Sequence, residues 1–286
     1  MKDAKAFAPG NISCIFVIKK TKKPEKSGSL GLGFTVNKGV FVSVKKMDKS
    51  SDKNEVYLNN KKINFPTVNS AIEMLTDEKI KVNIKSELPL GCGFGISGAS
   101  ALAAAYSVNK LLKLKKSRKE LALIAHIAEV KNMTGLGDVI NQYYGGLLAK
   151  YKPSYMFKAE RLSIKNKNLK NKKIYCKYFS GIDTKKIISD KSKEKQINNA
   201  GLYALKKIRE LGISEINLKN LIKISKDFSL KSGLLKNKRV INLINGIESK
   251  NGNASMIMLG NSVFSDMPFK GGMELIIQNK GAHLKS

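Results

Sequence analysis

The run Leu88-Pro-Leu-Gly-Cys-Gly-Phe-Gly-Ile-Ser-Gly-Ala-Ser-Ala-Leu102 sets Gly91, Gly93 and Gly95 on alternate positions, directly before strong helix formers. Glycine reaches backbone angles closed to other residues, so successive N–H groups here can converge on one anion. The helix that follows adds its unsatisfied N-terminal N–H groups and the positive end of its dipole. The chemistry this predicts is phosphate binding. No Gly-Lys-Ser/Thr follows, so the loop is not a Walker A sequence with a lysine on the phosphates. The G-x-G-x-G spacing, with Glu87-Leu88-Pro89 ahead of it, also departs from the dinucleotide-binding fingerprint.

Three further side chains could complete a phosphate chemistry. Ser97 stands at the start of the predicted helix, where a hydroxyl can cap the first turn. Glu129 lies late in an amphipathic helix; such a glutamate can be a surface residue or a hard oxygen ligand for magnesium. Asp138 follows Gly135 and Gly137 on a turn. It can be the N-cap of a short helix over Val139–Gln142, or a base facing a reacting hydroxyl. His126, one of only two histidines, reads as packing in the core. Cys92 reads as a small filler, with no base nearby to activate it.

The elements that must position these residues are mixed. Ile12–Ile18 and Gly33–Lys45 are β-rich, joined by a polar connection over Lys19–Ser29. Val56–Leu58 and Lys62–Phe65 form a short hairpin across Asn59-Asn60. Val68–Leu75 is a short helix and Ile80–Ile84 a strand. The glycine loop opens a helix over Ser97–Leu112. A second helix starts at Ser117-Arg-Lys-Glu120, a capping-box sequence, and runs to about Lys131. Gly145–Tyr151 turns into a strand. The lysine-rich stretch Lys165–Lys173 is the candidate domain boundary, dividing residues 1–164 from 165–286. Beyond it, strands are expected at Ile174–Phe179, Ala254–Leu259 and Glu274–Gln278. Helices are expected at Lys193–Leu211, Leu218–Phe228 and Lys238–Glu248. Strands and helices mix in both halves, so the class is α+β.

Composition narrows the partners. The chain has 286 residues and a formal net charge of +31, yet only four of its 53 basic residues are arginines (Arg118, Arg161, Arg209, Arg239). Nucleic-acid readers favour the planar arginine fork. Here lysines and asparagines are spread along the chain, with no zinc finger, helix-turn-helix or aromatic-interleaved basic strand. Nucleic-acid binding is the rival reading from charge, and no nucleic-acid partner is expected. Such a surface attracts small anions instead. No apolar run reaches the ~18 residues of a membrane helix, and no signal region opens the sequence. Cys14, Cys92 and Cys176 stand far apart, without the pairing of a disulfide or zinc framework. A reducing cytoplasm and no membrane partner are expected.

The glycine loop resembles the phosphate motif of the GHMP kinases, P-x-x-x-G-L-G-S-S-A. Pro89, Gly93, Gly95 and Ser97 fall on its fixed positions. Phe94, Ile96 and Gly98 replace Leu, the first Ser and Ala. The variant G-C-G-F-G-I-S-G-A is similar to the archaeal pantoate kinase branch. Four other segments agree: Ala6–Ser13, Ser27–Gly31, Ala125–Asp138 and Asn253–Phe264. The resemblance implies a ribosomal-S5-like N-terminal domain and a ferredoxin-like C-terminal domain, with the site between them. It implies ATP and Mg²⁺, and pantoate as the phosphoryl acceptor on the archaeal route to coenzyme A. Other acceptors within the family are homoserine, shikimate and mevalonate.

Roles carried over are a nucleotide cradle of Pro89, Gly91, Gly93, Phe94, Gly95, Ser97, Gly98 and Ala99. Ser97 and Glu129 would hold the metal, Asp138 would be the catalytic base, and Asn11, Ser27 and Ser29 would face the acceptor. Ser27-Gly-Ser reads equally as a plain turn. Many family members carry a lysine soon after the N-terminal Pro-Gly, where Asn11 stands here. A neutral amide cannot replace that charge, and nothing in the sequence singles out a substitute among the lysines. A homodimer is an open expectation.

Overall fold

A computed structural model describes residues 3–285 except 49, 163–168 and 170. Two strands dominate the first sheet, β1 (Ala4–Lys19) and β2 (Gly28–Lys46). They form one long antiparallel hairpin. Its register shifts twice, between Pro9 and Asn11 and between Ser13 and Ile15. A bulge re-aims the side chains beside it, and these two bracket Asn11 and Ser13. The sheet continues through β3 (Glu55–Leu58), β4 (Lys61–Lys62), β5 (Ile80–Ser86), β6 (Leu147–Lys150) and β7 (Glu160–Arg161). Asn59 and Asn60 both take positive φ (47° and 67°) in the predicted hairpin turn, a conformation asparagine tolerates better than most residues.

Helices α1 (Pro66–Glu73), α2 (Ile96–Leu112), α3 (Arg118–Lys131) and α4 (Asp138–Tyr144) pack with this sheet. The small residues of α2 leave it buried on every side from Gly98 to Val108, as expected of a helix apolar all round. It lies against β1, β2, α1, α3 and α4, so its N-terminus is a fixed point. The capping box of α3 forms as predicted: Ser117 Oγ accepts from the Glu120 N–H, and Glu120 Oε2 accepts from the Ser117 N–H.

The second sheet is antiparallel, in the order β11-β8-β10-β9: β8 (Lys173–Gly181), β9 (Ala254–Met256), β10 (Gly260–Ser265) and β11 (Met273–Ile276). It is accompanied by α5 (Thr184–Ile188), α6 (Lys191–Glu215), α7 (Leu218–Lys231) and α8 (Lys238–Glu248). Gly212 (φ 70°, ψ 160°) interrupts α6 near its end. Most of the predicted boundary over Lys165–Lys173 lies outside the described residues.

The described strands before residue 164 and those after it form separate sheets, with one exception. Strand β12 (His283–Lys285) returns to the edge of β1, with Lys5 opposite Lys285. The N–H of Gly146 donates to the Gln278 carbonyl, and that of Ala282 to the Gln142 carbonyl.

Candidate functional site

Gly91, Gly93 and Gly95 take φ of 79°, 88° and 62°, the left-handed region that their spacing anticipates. The loop is held from three sides. The N–H of Asn11 on β1 donates to the Phe94 carbonyl, the N–H of Ile182 to the Gly91 carbonyl, and the Ser262 hydroxyl of β10 to the Cys92 carbonyl. It lines a cavity of about 360 Å³, a size that suits small-molecule ligands. Opposite and around the loop stand Ser13, Ser29, Thr67, Ser97, Asp138 and Lys150. Met258 and Leu259 face the same space from the second sheet.

Several expectations change at this scale. Gly95, not Ser97, is the N-cap of α2, and no side chain caps it. Helix α2 starts one residue earlier than its propensity suggested, because a glycine can take the left-handed cap angle. The Ser97 hydroxyl therefore remains free of the helix. Asp138 is the first residue of α4, with Gly137 as N-cap, so its carboxylate is not a cap either. Asn11 is fully buried behind Asp138 and does not line the cavity. Ser27 is also buried away from it, its hydroxyl bonded to the Thr21 and Lys23 carbonyls of the turn before β2. Ser29 does line the cavity. Pro89 lies outside the lining. Phe94 packs in the core, and Gly98 and Ala99 are buried in α2.

Asp138 is held from β1. Its Oδ1 accepts from Asn11 Nδ2 at 2.6 Å and from Ser13 Oγ at 3.1 Å. Asn11 Oδ1 accepts from Asn141 Nδ2 at 2.8 Å. Asn141 Oδ1 in turn accepts from Lys150 Nζ at 3.1 Å, and the Gly137 carbonyl accepts from the same ammonium at 2.9 Å. A continuous polar chain thus runs from a buried cation to the carboxylate. Burial raises the Asp138 pKa, while Lys150, Asn11 and Ser13 hold it down. A carboxylate tuned upward holds a proton more readily than a solvated one.

Lys150 is the residue that sequence reading missed. Burial lowers its pKa to about 8, against the raising influence of Asp138 and Glu129. It closes the wholly buried strand Leu147–Lys150. The signal available was a lysine ending an apolar run, one of 49 lysines. Lys150 places its side chain in the same cavity as Asp138.

Glu129 is fully buried behind the loop: a Cβ built on Gly98 would lie 2.8 Å from its Oε1. Neither carboxylate oxygen has a hydrogen-bond partner of normal geometry. Burial and then the charge of Asp138 raise its pKa well above the usual range; the Lys150 charge and the N–H groups of Val139 and Asp138 offset this only in part. Glu129 does not line the cavity, whereas Ser97 does. An unpartnered buried carboxylate, with a serine hydroxyl whose lone pairs are not spent on its helix, fits a hard divalent cation, which would relieve both the burial and the repulsion.

The cradle makes a direct prediction. A Cβ on Gly95 would lie 3.1 Å from Asp138 Cγ and 3.0 Å from Gln142 Nε2. Gly95→Val also forces a β-branched residue to φ 62°. It should weaken ATP binding by at least ~10²-fold, the scale of backbone strain plus blocked approach. Unchanged affinity in an ATP titration would count against the loop as the phosphate cradle.

A second prediction concerns stability. Fully buried His126 places Nε2 2.9 Å from the Ser27 carbonyl, and burial lowers its pKa to about 4. The unfolded chain protonates this residue near pH 6.5, the folded chain only near 4. Its contribution is therefore complete above pH 6.5 and is lost as pH falls toward 4. Glu129 and Asp138, with raised values, titrate with the opposite sign, so the comparison must be with His126→Gln. The stability gap between wild type and variant should close by about 2 kcal/mol from pH 7 to pH 5. A gap in urea unfolding that ignores pH would refute this.

The GHMP kinases N terminal domain matches residues 66–146, from α1 to the turn before β6. The pantoate kinase of Methanocaldococcus jannaschii is 33% identical over 90% of this chain and 90% of its own. That of Methanospirillum hungatei is 29% identical over 91% of this chain and 86% of its own. A solved phosphotransferase related to the CoA biosynthesis pathway, 23% identical, superposes with a TM-score of 0.83 over 99% of this chain and 98% of its own. A glycine cradle, an acid held against it and near full-length similarity agree: the chain belongs to the GHMP kinases, with the pantoate kinases as its near relatives.

Proposed function

We propose that this chain transfers the γ-phosphate of ATP to the terminal hydroxyl of (R)-pantoate, giving 4-phosphopantoate and ADP. The observation that carries the reading is the Asp138 carboxylate, fixed by Asn11 and Ser13 against the glycine loop with Lys150 in the same cavity. Similarity to two pantoate kinases over about nine-tenths of the chain supports the acceptor.

Each residue has a share in the step. The loop N–H groups from Gly91 to Gly95 and the α2 N-terminus bind the phosphates. Asp138 orients the acceptor hydroxyl and takes its proton as the new O–P bond forms and the bond to the ADP oxygen breaks. The transition state of phosphoryl transfer is loose, so positioning contributes more than basicity. Lys150 presents its ammonium to the acceptor's carboxylate, and Ser29 a hydroxyl beside it. Ser97 and Glu129 would hold Mg²⁺, which when bound supplies positive charge to the phosphate oxygens. No helix among the described residues is long and apolar enough to cross a membrane. Together with three free buried cysteines, this supports a cytoplasmic enzyme.

ADP release with Mg-ATP across pantoate, pantothenate, homoserine, shikimate and mevalonate tests the reading. Turnover with pantoate alone is expected. Preference for another acceptor would keep the phosphate site and move the enzyme to a different reaction.

A further inference from the structure

The Ser97 hydroxyl, unused by its helix, opens a hydrogen-bonded string of three hydroxyls. Ser97 Oγ donates to Thr67 Oγ1 at 3.1 Å. Thr67 Oγ1 and Thr134 Oγ1 are 3.1 Å apart. Thr134 Oγ1 donates to the Glu129 carbonyl at 3.4 Å, an oxygen that also accepts the Thr134 N–H at 3.1 Å. A carbonyl has no proton to return, so the direction of the whole string is fixed. Each hydroxyl donates away from the glycine loop. Thr67 is the second residue of α1 and is fully buried. No side chain caps that helix, so the Thr67 hydroxyl is not spent on the local backbone. The string also ends on the main chain of Glu129, whose carboxylate is the unpartnered one behind the loop.

A hydroxyl coordinates a cation through oxygen lone pairs, and does so only if its proton points elsewhere. We propose that Thr67 is a positioning residue: by accepting the Ser97 proton and passing its own to Thr134, it keeps the Ser97 lone pairs turned toward a divalent cation and ties them to the Glu129 segment. This rests on the reading of Ser97 as a cation ligand. Thr67 itself touches neither cation nor substrate in this scheme, and its effect is on the cation's grip.

The test is the gain in ADP affinity that Mg²⁺ confers, measured by calorimetry on the full chain with and without the metal. Thr67→Val removes the acceptor while keeping shape. It should cut that gain ~10-fold, the size of a lost hydrogen bond at a charged centre, and leave metal-free ADP affinity unchanged. Thr67→Ser should restore the gain. A packing role would instead lower thermal stability and metal-free affinity together, and Thr67→Ser would not separate them.

If Thr67→Val keeps the full gain while Ser97→Ala loses it, Thr67 is idle and the Ser97 reading stands. If Ser97→Ala keeps the gain, Ser97 is no cation ligand and both ideas fall. Thr134→Val, at a half-buried loop position, should shift the gain in the same direction as Thr67→Val. If Thr67→Val does not fold, a wild-type gain in Thr134→Val overturns the proposal.

Discussion

An Asp138→Asn enzyme is expected to turn over at least ~10²-fold more slowly than wild type while binding ATP as before, the scale of a lost general base. The substitution is nearly isosteric, and the amide oxygen can still accept from Asn11 and Ser13. What disappears is the negative charge and the capacity to take a proton. Two opposing effects act on stability: the Asp138 charge raises the Glu129 pKa and also supports the buried Lys150 ammonium. Removing it relieves a repulsion with one buried acid and gives up an attraction to one buried base, so a large stability change in either direction is not expected. Slow turnover with near-normal thermal stability would place the defect in the chemistry. Turnover near wild type would remove Asp138 from the role of base.

Lys150→Met should be the next most damaging change. Methionine matches the stem but leaves the Gly137 carbonyl and Asn141 Oδ1 without their donor. It also removes positive charge from a buried cavity where such charge acts strongly. A loss of ~10²–10³-fold in kcat/KM for the acceptor is expected, comparable to deleting a donor that stabilises developing charge. ATP affinity should change far less. Since burial lowers the Lys150 pKa to about 8, wild-type activity should decline as pH rises through that value. The variant should lack this alkaline limb. A variant that keeps the limb would show that another group titrates there.

Local signals in the sequence carried most of the fold. The glycine triplet, the Ser117/Glu120 capping box and the Asn59-Asn60 turn each act within a few residues, and each forms as read. The site was legible where a motif concentrates its residues, as in Gly91–Ser97. It was less so where the function depends on partners far apart in sequence. Asn11 was read as facing the acceptor, but where the pairing of β1 with β2 shifts register it lies against Asp138. Ser27 looked equivalent to Ser29, yet the polar turn before β2 absorbs its hydroxyl. Lys150 was hidden by composition: with 49 lysines in the chain, only burial distinguishes one from another. The last strand gave no signal either, since no local pattern announces that residues 283–285 pair with β1.

That returning strand has a consequence for how the chain acquires its shape. Lys5 meets Lys285 across 280 residues. Synthesis proceeds from the N-terminus at roughly 5–20 residues per second, so β1 has no partner on that edge until nearly all the rest has been made. An open strand edge is a template for pairing with other chains, and contacts so distant in sequence form slowly. During those seconds the nascent protein is most exposed to aggregation, even though the finished enzyme has that edge covered.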